Sequence, residues 1–178
     1  TLPGSYEISE SSLSKTYYKK IEKEVFALIE NVIKFRKNEG KEICVDLKKK
    51  VQIIEKKILE IKKLDSKRIE NKKIKIHKEM GKLNLLIDKN RIEQEMIYYI
   101  EKLDINEEIT RLNSHLKLFK NELNNKLPVG KKLGFISQEI GREINTLGAK
   151  ANDSQIQKIV IEMKDNLEKI KENVLNIL

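Results

Sequence analysis

Apolar residues recur at steps of three and four along almost the whole chain. Tyr17, Ile21, Val25, Leu28, Val32 and Phe35 form a first stripe. It predicts a helix capped by Ser9 or Ser12 that buries one face and runs to about Gly40. Cys44, Leu47, Val51, Ile54, Ile58 and Ile61 follow at spacings of 3, 4, 3, 4 and 3, the a/d rhythm of a coiled-coil seam. Leu64-Asp65-Ser66 offers a turn, after which Ile69, Ile76, Met80, Leu83 and Ile87 share a face. Residues 41–87 are therefore expected to form an antiparallel coiled-coil hairpin with arms of about 35 Å.

Beyond the hairpin, Asp88 or Asn90 can cap a helix over residues 91–102, and Asn106 another over 107–123. Residues 127–130, Leu-Pro-Val-Gly, read as a loop, and a helix from there should break near Gly148. Asp153 then caps a last helix whose Ile156, Val160, Met163, Leu167, Ile170, Val174 and Ile177 make a second heptad seam. No segment alternates as a strand does. The expected fold class is all-α, built of long helices whose seams need partner helices. Three segments result: a linker and first helix over 1–40, the basic hairpin over 41–87, and a helical core over 88–178.

Composition narrows the class. The 178 residues are 37% charged, 39% hydrophobic and 5% aromatic, with two prolines, which favours long helices over sheet or disorder. A single cysteine, Cys44, leaves no intrachain disulfide partner and no Cys-based zinc cluster, and it fits a reducing, cytoplasmic setting. No apolar run approaches the roughly 20 residues that span a bilayer, and the first residues lack the basic and apolar regions of a signal peptide. The chain does not begin with Met.

The net charge of +9 is concentrated: residues 41–82 hold 15 Lys and Arg against 7 Asp and Glu. A local positive field suits a polyanion such as RNA, while a solvated helical face accounts for the same residues. Against 32 lysines stand five arginines, Arg36, Arg68, Arg91, Arg111 and Arg142. Their retention suggests sites that need a planar, bidentate guanidinium. Few aromatics imply no platform for stacking bases, so recognition of RNA should go through shape and backbone.

Residues 130–153 stand apart from the lysine-isoleucine-glutamate background. Leu133, Ile136, Ile140, Ile144 and Leu147 make a core face, with Gln138, Arg142 and Asn145 opposite. Glu139 and Glu143, four apart, lie beside the apolar stripe. Two such carboxylates can hold one hard divalent cation, or each can pair with a cation on a neighbouring helix. Upstream, Glu108, Arg111 and His115 share a face. His115 can serve as general base, acid or metal ligand, or simply be hydrogen-bonded. Glu95 and Glu107 are further acids that Arg91 or Arg111 could pair. His77, in the lysine-rich arm, reads as a solvated surface residue.

These residues carry a resemblance. Gly130-Lys131-Lys132-Leu133, Phe135, Gln138-Glu139, Arg142-Glu143, Asn145-Thr146, Lys150 and Asn152-Asp153 resemble the C-terminal signature of the YicC/YloC family of bacterial endoribonucleases. So do Leu2-Pro3-Gly4, Arg36, Glu39-Gly40, residues 91–95, Asp104, residues 107–116, Phe119 and the closing heptad helix, in order along the chain. The resemblance implies a cytoplasmic endoribonuclease dependent on a divalent metal, Mn2+ or Mg2+, forming large homo-oligomers, hexamers in the full-length protein. It also implies an N-terminal α/β domain before Leu2-Pro3-Gly4, so this chain is expected to be the helical C-terminal part of a longer protein. Gly134 and Gly141 stand where the family usually has Asp and Asn.

On that footing Glu139, Glu143, His115 and Arg142 are the candidate catalytic residues. Glu139 and Glu143, with Glu108, are the candidate metal ligands. Lys131, Lys132, Arg142 and Lys150 are the candidate phosphate-gripping residues. A metal-bound water would leave a 5′-phosphate, and attack by the 2′-hydroxyl with His115 as base a cyclic phosphate. The competing expectation is a non-catalytic module that holds RNA and oligomerises.

Overall fold

A computed structural model describes residues 15–82, 89–125 and 129–175, and all five of its elements are helices: α1 (Lys15–Lys82), α2 (Lys89–Leu103), α3 (Asn106–Glu122), α4 (Gly130–Ala151) and α5 (Ser154–Val174). The all-α expectation holds. The Ser9 or Ser12 cap, the turn at Leu2-Pro3-Gly4, Leu83, Ile87, Asp88, Pro128 and Ile177 lie outside the described residues, as do the side chains of Met80 and Asn90.

The chain divides into two compact units at Glu39/Gly40. In the first, the stripe of Tyr17, Ile21, Val25, Leu28, Val32 and Phe35 is helical as expected but not buried: these side chains are 47% to 68% exposed. Tyr18, Phe26, Ile29 and Ile33 are exposed beside them. A heptad seam states that a helix wants a partner and leaves open where the partner comes from.

The second unit holds the core. Leu47, Val51, Ile54, Ile58 and Ile61 of α1 are all at most 1% exposed, so this seam is filled as its spacing requires. Its partners are α3 and α5 rather than a return arm. Lys120 of α3 pairs with Glu55 at 2.7 Å, Lys57 pairs with Glu162 of α5 at 2.7 Å, and Lys48 donates to Asn124 Oδ1 at 2.8 Å. Glu162 and Glu60 together raise the affinity of the Lys57 ammonium for its proton. Leu112, Leu116 and Phe119 of α3, Leu133, Ile140, Ile144 and Leu147 of α4, and Ile156, Met163, Leu167 and Ile170 of α5 complete one contiguous cluster.

The turn expected at Leu64-Asp65-Ser66 is absent, because α1 runs straight through it. Asp65 does not open a turn. Its carboxylate accepts from Arg68 Nε at 2.9 Å, an i,i+3 pair inside the helix. The same guanidinium, 4% exposed, donates to Leu103 O at 2.8 Å and to Ala151 O at 2.6 Å. Ile76 instead shares an apolar groove with Ile92, Met96 and Tyr99, so α2 lies alongside the end of α1.

Two further boundaries differ from expectation. Asn106 does not cap α3. Asp104 Oδ1 accepts the Asn106 backbone N–H at 2.9 Å in its place. The break near Gly148 comes later, at Asn152, whose φ of 42° and ψ of 47° end α4 in the left-handed region that Asn tolerates. Gly148 is buried in the helix, where an added Cβ would stand 3.1 Å from Val160 Cγ1. Asp153 caps α5 as expected, accepting from Gln155 N and Ile156 N at 2.9 and 3.1 Å.

Replacing Arg68 by Leu should strand the Asp65 carboxylate and two buried carbonyls, and lower stability by roughly 2–5 kcal/mol. Arg68→Lys should recover little, since one ammonium cannot meet three acceptors lying in different directions. The urea midpoint of each variant, followed by helical circular dichroism, checks this. A midpoint within error of the parent for either variant contradicts it.

Candidate functional site

α3 and α4 pack antiparallel, and two ion pairs fix their register. Lys132 near the start of α4 meets Glu122 at the end of α3 at 2.6 Å. Lys150 near the end of α4 meets Glu108 at the start of α3 at 2.7 Å. Glu108, His115 and Glu122 are seven apart in turn, so they fall within an arc of about 40° on α3. Lys132, Glu139, Glu143 and Lys150 are spaced 7, 4 and 7 and fall within a similar arc of about 40° on α4.

The middle of this seam follows by counting. His115 is seven residues from both Glu108 and Glu122. Glu143 is seven from Lys150, and Glu139 is seven from Lys132. His115 therefore sits level with Glu139 and Glu143, between two closed ion pairs. The seam is a charged rail whose ends are neutralised and whose centre sets His115 at the same level as Glu139 and Glu143, with no hydrogen bond joining them among the described residues.

Burial distinguishes the acids. Glu108 is 3% exposed and gives one oxygen to Lys150, while its Oε2 is buried with no hydrogen-bond partner. Glu143 is 5% exposed and makes no hydrogen bond or ion pair with any described residue. Glu139 lies at the surface, where Arg142 approaches it at 3.4 Å. The pair expected to share one cation is thus split: Glu143 faces inward and Glu139 is turned to a guanidinium in solvent. Among the described residues no group of three or more His, Cys, Asp and Glu side chains gathers to hold a metal. The described residues do not on their own make up such a group. The orphaned oxygen of Glu108 and the unpaired Glu143 are the two donors that a metal could recruit.

The expected phosphate-gripping cations also divide. Lys132 and Lys150 are engaged by Glu122 and Glu108. Lys131 and Arg142 remain exposed, on a face that also carries Gln138 and Asn145. Arg111 pairs with its neighbour Glu107 on the surface, and Glu95 lines the α1–α2 groove. His77 is exposed, as its setting suggested. Glu122 was not singled out from the sequence. Its heptad spacing from Glu108 and His115 is the signal that could have found it.

Comparison with known proteins identifies relatives of this chain. Residues 61–178 match the family model described as endoribonuclease YicC-like, C-terminal. A Clostridioides difficile protein named "Probable endoribonuclease YicC" is 36% identical over 145 residues, covering 80% of this chain and 50% of that protein. A Haemophilus influenzae protein of the same name is 39% identical over 99 residues, 56% of this chain and 34% of that protein. The chain thus spans half or less of the length of these curated relatives.

The rail has a pH signature. The Lys132 ammonium, with help from Asn125, holds the Glu122 carboxyl below its ordinary value of 4.5. A carboxyl depressed by folding stabilises the folded state above its unfolded value, and that contribution is lost as the pH falls through the depressed one. Glu122→Gln should therefore melt below the parent near neutral pH, with the gap closing at acid pH beneath 4.5. Thermal melts across pH 3 to 7 read it out, and a gap that stays constant with pH would refute the assignment.

Proposed function

The chain belongs to the YicC-like endoribonuclease family, and from that premise we propose that it is the helical C-terminal portion of an endoribonuclease acting on structured RNA. The observation that carries the reading is the centre of the α3–α4 rail, where His115 lies level with Glu139 and Glu143 and no cation closes Glu143. An imidazole level with carboxylates is suited to general base work. His115 would take the proton of a 2′-hydroxyl as that oxygen attacks the adjacent phosphorus, and the 5′-oxygen would leave. Glu139 and Glu143, level with the ring, would stabilise its cation by charge. Exposed Lys131 and Arg142 would grip flanking phosphates, and the lysine-studded face of α1 supplies the wider field.

Metal dependence belongs to the same proposal in restricted form. Glu143, or the free oxygen of Glu108 about two turns along the rail, would help to hold Mn2+ or Mg2+ only with further oxygen ligands from outside the described residues. The uncovered apolar stripe from Tyr17 to Phe35 supports self-association, and we place the full-length protein in the cytoplasm as a homo-oligomer, a hexamer. Among the described residues no helix is long and apolar enough to cross a membrane. One observation favours a second reading, a non-catalytic module that holds RNA and oligomerises: Glu108 and Glu139 are each already engaged by a cation.

The deciding experiment incubates a hairpin RNA with this chain and with a form carrying the preceding half, with Mn2+ or with a chelator. Cleavage should occur, and His115→Ala should slow it by about 10²–10⁴-fold at unchanged RNA affinity. Cyclic phosphate ends identify 2′-hydroxyl attack; 5′-phosphate ends would remove His115 from the base role. Salt-sensitive binding without cleavage by either form selects the second reading.

A further inference from the structure

The structure assigns a base-stacking site for unpaired nucleotides to the outer face of α2, built from Arg91, Tyr98 and Lys102. The inference rests on the RNA reading above and adds to it the class of RNA engaged. Arg91, Tyr98 and Lys102 are spaced 7 and 4, so they lie within about 40° of one another on the helix. This face lies about 100° round the helix from Ile92, Met96 and Tyr99, which meet Ile76 of α1 in the groove, with Glu95 at the edge between them. Tyr98 is 55% exposed, although it is a large aromatic on a helix whose inner face has apolar company. Lys102 Nζ stands 4.2 Å from the Tyr98 ring centroid, a cation–π contact that holds the ring in place without enclosing it. Arg91, exposed one heptad earlier, makes no ion pair with any described residue.

The charge around this face selects the occupant. Within about one turn of Ile76, α1 carries Lys72, Lys73, Lys75 and Lys78, with Glu79 as the acid among them. A planar ring flanked by cations and backed by a lysine-rich helix suits a nucleobase between its phosphates. The base stacks on Tyr98, while Lys102 and Arg91 meet the phosphates on either side. A paired duplex cannot use the ring, because its bases are already stacked on each other. Glu95, on the same side of α2, disfavours a partner held by charge alone and leaves stacking as the discriminating interaction. Low aromatic content led to the opposite expectation from composition. Placement overrides it, since one well-exposed ring suffices.

The test measures binding of this chain to two RNAs of equal length by fluorescence anisotropy at fixed salt, one unpaired and one a perfect duplex. Tyr98→Ala should weaken binding of the unpaired RNA by about tenfold or more and leave the duplex unchanged, whereas Tyr98→Phe should keep both. Lys102→Gln should lower the salt slope for the unpaired RNA by about one. A 2-aminopurine placed in the unpaired RNA should be quenched by the parent and by Tyr98→Phe but not by Tyr98→Ala, a readout that a merely structural tyrosine would not produce. Equal losses on both RNAs, or none, overturn the stacking site while leaving the RNA reading standing. Sedimentation that shows Tyr98→Ala changing oligomeric mass instead of affinity overturns it in favour of a protein contact. Failure of the parent chain to bind either RNA removes both readings together.

Discussion

One guanidinium decides where most of the helices begin and end. A helix C-terminus leaves carbonyls without partners, and a buried one must find donors. α2 and α4 both end against α1, and Arg68 meets the Leu103 carbonyl of one and the Ala151 carbonyl of the other. Asp65, one turn back, neutralises the charge that burial would otherwise make expensive. Only a planar fork with donors on several edges can serve three acceptors at once. The consequence runs along the chain. α3 begins three residues after Leu103, and α5 begins three residues after Ala151. Arg68 therefore sets the start of both helices that pack on the α1 seam.

With the ends placed, the ion pairs along α3 and α4 choose among registers that the core alone would accept. Leu112, Leu116, Phe119, Leu133 and Ile140 supply most of the stabilisation, since each buried large apolar side chain is worth roughly 1.5–3 kcal/mol. An apolar seam is nearly indifferent to a slip of one heptad. Glu108–Lys150 and Glu122–Lys132 are not, because a slip of seven would set Glu122 level with Glu139 and leave Lys132 without its partner. Partly exposed pairs of this kind contribute about 0–1 kcal/mol each, so their weight falls on specificity rather than strength. The orphaned Glu108 oxygen works the other way. A buried acceptor without a donor costs about 1–3 kcal/mol, and a folded chain keeps such a group at odds with its own stability.

Periodicity was the legible part of this sequence. The seams at 47–61 and 156–174 are buried, and the face Leu133, Ile136, Ile140, Ile144 and Leu147 is core, because spacing alone determines which side of a helix is apolar. Connectivity was less legible. Leu64-Asp65-Ser66 has turn-forming residues, yet Asp65 is a good helix residue once Arg68 stands at i+3, and no local rule sees the carbonyls of Leu103 and Ala151 that hold Arg68 there. The candidate site was half legible. A single helical wheel put Glu139 beside Glu143 and Glu108 beside His115. It could not bring His115 level with Glu139 and Glu143, because that requires the register between helices. It also could not divide Glu139 from Glu143, since four residues along a helix turn a side chain by about 40°, enough to cross from buried to exposed.

The two glycines of the signature helix bear on what this chain can still do. Gly134 and Gly141 are seven apart and lie nearly opposite the rail, on the side of α4 that carries Gln138, Arg142 and Asn145. Gly141 has a packing reason: an added Cβ would stand 3.2 Å from Leu167 Cδ2, so the small residue lets α5 close in. Gly134 has none, as nothing lies within 4 Å of its Cβ position. An acid or amide at Gly134 would extend into open space, whereas one at Gly141 would press on Leu167 of α5. Both positions lie away from the rail, so His115, Glu139 and Glu143 keep their level between the two ion pairs whichever residue stands there. The exposed face is not insulated from the rail, because Arg142 stands only about 60° round α4 from Glu139 and approaches it at 3.4 Å.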